Sequence, residues 1–454
     1  MTIHHQDAKT QSILLFLASW CLCVFAVRAQ SVEEHLRRGF EFGRAAQYAE
    51  AIREFEAAVR LNPSSPEAHY SLGVARWWTK DLDAGITSLD TALKLKPGMA
   101  EAHYFLGLAL QQKGELKRAL TEVESSIRLR PKFAQGYNSL GLIQQQIGDR
   151  DAATSSFRTA VESEPDFLEA RNNLGLALMQ ASDADGAAEQ FRAIIQRKPG
   201  NIDARNNLGL ALMQKGDLQS AVEVLRELLQ LAPDHPEGRY NLGVALKQKD
   251  DFAGATTELR HAIKIKPDFP DAYYTLGITL WQQGEIDPAV EAMRNALRYR
   301  PEYAEASFAL GTLLKEKGEL EAAKEALQNS LRVKPEYPEA HYALASIFKQ
   351  QGKLGEAAAE LERAEAQRRL KQSRETATFA THTALELARK GDLDQAMRRL
   401  RSAIQTAPDY APAHYHLSLL LRKTGRTTES EAALKRALEL DPQVESASLR
   451  PVVR

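Results

Sequence analysis

The sequence predicts an all-α fold, a solenoid of stacked antiparallel helix pairs repeated about twelve times, and three regular spacings predict it. Prolines recur every 34 residues at Pro63, Pro97, Pro131, Pro165, Pro199, Pro233, Pro267, Pro301 and Pro335, then again at Pro408 and Pro442. A glycine stands 24 residues before each proline of the first run, from Gly39 and Gly73 to Gly311. An alanine stands twelve residues before the proline position, from Ala51 and Ala119 to Ala357 and Ala396. A unit this short cannot bury its apolar face alone, so neighbours must stack into one continuous core.

The N-terminal stretch lies outside this ruler. Residues 13–27, "ILLFLASWCLCVFAV", are apolar except for Ser19 and are followed by the small or compact pair Val27 and Ala29 around Arg28. Residues 1–29 are expected to be a secretory signal peptide cut after Ala29. Fifteen residues fall short of the roughly 20 that a spanning helix needs. The expected location is therefore exported, periplasmic or secreted, the alternative being a chain anchored by the uncleaved segment. Cys21 and Cys23 both lie inside it, which leaves the mature chain no disulfide, thiol chemistry or cysteine metal site. Lys plus Arg is 59 against 60 Asp plus Glu, so no field favours nucleic acid.

Within a repeat counted from 1, the glycine falls at position 8, the alanine at 20 and the proline at 32. The first helix, such as 168–181, carries apolar residues at three- and four-residue steps. A second glycine (Gly114, Gly148, Gly216, Gly284, Gly318 or Gly352) ends it as a C-terminal cap. Small residues at 8 and 20 let the two backbones approach. Proline at 32 stops the second helix, and Pro66, Pro236, Pro270 and Pro338 open the next, where a missing N–H costs nothing.

Leucine at 7, glycine at 8, alanine at 20, an apolar residue at 24 and proline at 32 together resemble the tetratricopeptide repeat. The match gives ten units in 32–371 and two in 377–444. Gly85 and Ser430 depart from alanine at position 20; Ala345, Ala384 and Ser418 depart from glycine at 8; Arg369 replaces a proline. The resemblance implies a right-handed superhelix whose first helices line a concave groove able to hold an extended segment. Residues 372–376 are an insertion in a run, 357–390, without Gly or Pro, and predict a lengthened helix or a hinge near Lys371–Thr376 that offsets the last two repeats. The tail 445–454 is too short for a capping helix.

Repeat positions 2, 5, 9, 12 and 13 share one stripe of the first helix, with position 6 beside it. The stretch "ARNNLGLALMQ" occurs twice, at 170–180 and 204–214, and places Asn172, Asn173 and Gln180, then Asn206, Asn207 and Gln214, on that stripe. Asn138 and Asn241 extend the asparagines, and position 13 is also glutamine at Gln112, Gln146, Gln248, Gln282 and Gln350. Amides donate and accept, so such a row suits the main chain of an extended peptide. The asparagines resemble the ladder in the repeats of O-GlcNAc transferases; the plainer account is that asparagine at 6 is family consensus and glutamine a solvent-facing helix residue. Trp77, Trp78 and Trp281 occupy positions 12 or 13, and Tyr240 and Tyr274 position 5, with exposed aromatics the usual anchors of interfaces. Acids at position 2 suit the helix dipole. His69, His103, His341 and His414 at position 4 are expected to pack, since no further ligands converge for a metal.

No phosphate-cradling glycine loop, HExxH or GxSxG occurs, and the repeats take up 32–444. No enzyme, cofactor or metal is expected. The favoured class is a protein-interaction scaffold binding extended protein segments, in envelope assembly or secretion. The alternative is a carbohydrate-binding groove in polysaccharide export, and a further one an array recruiting substrates to an enzyme. The membrane is a partner only if the N-terminal segment is uncleaved.

Overall fold

The computed structural model describes residues 31–444, so the expected signal segment and the tail 445–454 lie outside the described residues. These residues form twenty-three helices and no strand, running in antiparallel pairs with the predicted period. Repeat 3, for example, pairs Ala100–Lys113 with Leu116–Leu129, and repeat 7 pairs Pro236–Gln248 with Phe252–Ile265. The chain divides into two compact units, one ending at Asn173 and one beginning at Leu174.

In the first unit the packing rule is the same at each pair. The position 8 glycine receives the position 24 side chain of its own repeat. A Cβ on Gly107 would lie 2.5 Å from Val123, and one on Gly141 2.6 Å from the ring of Phe157. Both side chains are buried, at 0% and 1% exposure. Ile86, Leu89, Leu106, Leu110, Val123 and Ile143 join these pairs into one core across repeats 2 to 4.

The second unit repeats the rule: Gly209 faces Leu225, Gly243 faces Leu259 and Gly311 faces Leu327. Its departures have local accounts. In repeat 12 serine stands at both position 8 and position 20, and Ser430 Oγ donates to Ser418 O at 2.9 Å, so a hydrogen bond replaces the bare methyl contact. Where Arg369 replaces proline, nothing stops the second helix of repeat 10. It runs on through 372–376 into the first helix of repeat 11 as one 36-residue helix, Leu354–Arg389. Ala357, Glu360 and Ala364 bury one end of it, and Ala377, Thr381 and Ala384 the other.

Helix ends follow the sequence closely. Asp81, Asp149, Asp183, Asp217, Asp251 and Asp392, all at position 16, cap second helices by accepting a main-chain N–H. Position 15 is left-handed in every repeat. It is glycine in eight repeats, but Ala46, Lys80, Ser182 and Asp250 adopt φ 56°, 66°, 63° and 60° in the other four.

Candidate functional site

The polar residues of the first helices fall into three sets of contacts, all of which bind one repeat to itself or to its neighbour. The first links position 2 to position 31 of the same repeat. Lys96 reaches Glu67, Arg130 reaches Glu101 and Lys266 reaches Glu237, each at 3.0 Å. Arg300 grips both oxygens of Asp271 at 2.8 Å and holds that carboxyl below its usual range. The same bases lie over the last aromatic of the repeat, Arg130 over Phe133 and Arg300 over Tyr303. That ring in turn packs on position 5: Tyr240 on Phe269 at 5.0 Å and Tyr274 on Tyr303 at 5.1 Å between centroids. Tyr240 and Tyr274 are thus half-buried parts of a joint, and burial raises the Tyr274 phenol above its usual range.

The second set adds hydrogen bonds to the packing role expected of the histidines. Position 4 side chains donate to the carbonyl of the preceding repeat's proline: His69 to Pro63 at 2.9 Å, His103 to Pro97 and His414 to Pro408 at 3.0 Å. Arginine does the same where it replaces histidine, from Arg171 to Pro165 at 2.8 Å and from Arg239 to Pro233 at 3.0 Å. The other end of the side chain meets a position 23 carboxylate, as His103 with Glu122, His341 with Glu360 and Arg239 with Glu258. Each of these carbonyls lies just past the end of a second helix, outside its hydrogen-bond ladder, and a polar position 4 residue gives it a donor.

The third set is the amide stripe. Asn173 Nδ2 donates to Asn138 Oδ1 at 2.9 Å, and Asn138 Nδ2 donates to Glu169 at 3.2 Å. In the second unit Asn241 Nδ2 donates to Asn206 Oδ1 at 2.8 Å. Asn138 and Asn241 are buried, at 3% and 8% exposure, so they hold the amide of a neighbouring repeat and do not themselves face solvent. Asn172, Asn173, Asn206 and Asn207 are half-buried beside them, while Gln180 and Gln214 are exposed. Gln214 Nε2 donates to the Met179 carbonyl at 3.0 Å, closing the end of the previous first helix. Leu176, at position 9, is exposed on the same stripe, and Leu210, its counterpart in the next repeat, is half-buried there. The visible sign in the sequence of the 35-residue step between bonded asparagines is asparagine at position 5 followed by asparagine at position 6 of the next repeat.

The tryptophans divide. Trp281 Nε1 donates to Glu316 at 2.9 Å, which accounts for the one acid in the glutamine row. Trp77 turns into the core, edge-on to Phe105 at 5.5 Å, and Trp78 stays exposed against Tyr48. A cleft of about 760 Å³ opens beside the fused helix, lined by Leu370, Lys371, Arg374, Phe379 and His382 among others. Arg374 closes one wall through Asp409 at 2.8 Å. Among the described residues no His, Cys, Asp and Glu group could hold a metal ion, and no helix is long and apolar enough to cross a membrane.

Comparison with known families finds tetratricopeptide repeats at 79–132, 138–202 and 274–323, at 178–242, 212–277 and 387–450, and at 47–77 and 311–352. No curated protein matches the sequence. Among solved structures, YrrB, described as a TPR protein with an unusual peptide-binding site, is 25% identical with a TM-score of 0.37, over 40% of this chain and 95% of its own. MamA (41-end) from Desulfovibrio magneticus RS-1 is 23% identical with a TM-score of 0.35, over 37% of this chain and 95% of its own. The APC/C hetero-tetramer Cut9–Hcn1 is 14% identical with a TM-score of 0.34, over 92% of this chain and 95% of its own.

Proposed function

The chain belongs to the tetratricopeptide-repeat family, and from that premise we propose that it is a non-catalytic scaffold whose first-helix stripe holds extended segments of other proteins. The observation that carries this reading is a stripe with fixed amides and uncommitted neighbours. Buried Asn241 fixes the amide of Asn206, and Gln214 is fixed on the Met179 carbonyl, while Leu176 and Gln180 face outward on the same stripe. Preorganised donors and acceptors lower the entropy lost when a flexible segment is bound. Apolar residues between them supply area without demanding a particular sequence. On this reading Asn138 and Asn241 act through the partner amides that they orient, and Asn172, Asn173, Asn206, Asn207, Gln180 and Gln214 make the contacts.

With the N-terminal apolar segment as an export signal, the partners are exported proteins in envelope assembly or secretion. A carbohydrate-binding groove is the second reading, favoured by the open face of Trp78, at 51% exposure. Calorimetric titration separates the two. A reduced and carboxymethylated, hence unfolded, polypeptide should bind, the same polypeptide in its native fold should not, and Leu176→Asp with Leu210→Asp should abolish the binding. Binding of a linear glucan hexasaccharide with none of the unfolded polypeptide would replace the first reading by the second.

A further inference from the structure

At two joints a position 12 side chain bonds the position 13 side chain of the next repeat. Gln111 Nε2 donates to Gln146 Oε1 at 3.2 Å, and Trp281 Nε1 donates to Glu316 Oε2 at 2.9 Å. Between the first two repeats the same 35-residue step joins Gly43 to Trp78, and Gly43 brings no side chain. Trp78 is 51% exposed, its ring parallel to that of Tyr48 with centroids 5.7 Å apart. What remains is an apolar cleft of about 330 Å³ walled by Phe40, Gly43, Tyr48, Tyr70, Val74 and Trp78.

Neither the backbone nor the packing asks for glycine at 43. The left-handed residue of this turn is Ala46, three positions on, with φ 56°, while Gly43 keeps an ordinary negative φ in the last turn of the helix 31–44. A Cβ built on Gly43 would meet no atom within 4 Å, in contrast to Gly39 on the same helix, where it would lie 2.4 Å from Phe55. Glycine there weakens the helix, and a side chain in its place would enter only the cleft.

We infer that this cleft takes one large apolar side chain, aromatic by preference, from a bound extended segment, with an acidic neighbour of that residue meeting Arg44. The inference rests on the reading of the stripe as a holder of extended protein segments. Its volume leaves ample room for a large aromatic side chain, and the walls offer edge and face contacts from Phe40, Tyr48 and Trp78. Charge decides the neighbour. Arg37 and Arg38 of the same helix pair with Glu34 and Glu41, whereas Arg44, at the cleft rim, has no ion pair among the described residues. A bidentate carboxylate is its natural complement.

The probe is a blocked, fluorescent nonapeptide with one phenylalanine between two glutamates in a glycine–serine background, titrated with the full chain by anisotropy. Replacing the probe's phenylalanine by alanine, or Gly43→Leu in the protein, should each weaken binding at least tenfold. Gly43→Leu should leave the melting temperature unchanged or raised, and Gly43→Ala should fall between it and the wild type in binding. Arg44→Gln should make the probe and its glutamine counterpart bind alike. The inference falls if Gly43→Leu binds like the wild type, if a lysine version of the probe binds as well as the glutamate one, or if the wild type does not bind the probe. It also falls if Gly43→Leu turns a self-associating chain into a monomer, since a second copy would then be the occupant. Retained binding of the long unfolded polypeptide in any of these cases leaves the stripe reading standing and removes the cleft alone.

Discussion

The amide pair Asn138–Asn173 sets a test with an unequal outcome for its two halves. Asn138 is 3% exposed, accepts from Asn173 at 2.9 Å and donates to Glu169 at 3.2 Å. Asn173→Ala leaves the Asn138 carbonyl buried without that donor, at a cost of about 1–3 kcal/mol. Asn138→Ala instead frees Asn173 and Glu169, which water can reach, and costs about 1 kcal/mol, the net value of an ordinary hydrogen bond. The double variant carries no orphan, so it should resemble Asn138→Ala alone, with a coupling of about 2 kcal/mol and a roughly thirtyfold change in local opening. Because repeats open semi-independently, a melt of the whole chain averages over them. Hydrogen exchange in Ala134–Ile147 and Leu168–Gln180 reads the joint itself. Additive costs in the double variant would refute the claim that the asparagines work as a pair across the joint.

Other consequences are as direct. Gly141→Ala sets a methyl 2.6 Å from the buried Phe157 ring and should cost about 1–3 kcal/mol in urea unfolding, while Gly200→Ala, which meets nothing within 4 Å, should be nearly neutral. Ala46→Gly, Lys80→Gly, Ser182→Gly and Asp250→Gly each relieve a left-handed side chain and should add about 0.5–1 kcal/mol; a loss at all four would overturn the assignment of strain. Burial, with His382 nearby, holds the His416 imidazole down at about 4 from an ordinary 6.5. Between those values the unfolded chain binds more protons than the folded one, so the last repeats should lose about 2–3 kcal/mol as pH falls from 6.5 to 4. Protection factors in Ala411–Lys423, corrected for the slower intrinsic exchange in acid, should fall over that window, and His416→Phe should flatten the response.

Legibility in the sequence followed the range of the interaction. The glycine, alanine and proline positions were readable because each reports a contact inside one helix pair or a stop at its end, and Gly141 with Phe157 shows the fit. The polar joints were not. A position 4 histidine has its carbonyl partner six residues back and its carboxylate 19 ahead on another helix, as in His103 with Pro97 and Glu122, and no single-helix pattern marks both. The helix dipole explains an acid at position 2 from one helix alone, yet the 29-residue partners of these acids, such as Lys96 for Glu67, repeat just as regularly. The choice between a long helix and a hinge near 372–376 turned on a missing stop: with Arg369 in place of proline and no glycine following, the helix simply continues. Of the candidate site, the letters carried the stripe but not its division into held and free amides, because burial of Asn138 and exposure of Gln180 depend on the neighbouring repeat.

The measurement that bears most directly on the account is photo-cross-linking of the full chain to an unfolded polypeptide, with the photoreactive residue installed singly at Leu176, at Leu210 and, on a second helix, at Glu189. The account predicts strong cross-links from Leu176 and Leu210, lost on adding excess unlabelled polypeptide, and background alone from exposed Glu189. Equal cross-linking from Glu189, or none from the two leucines while the polypeptide still binds, would contradict a first-helix stripe as the binding surface.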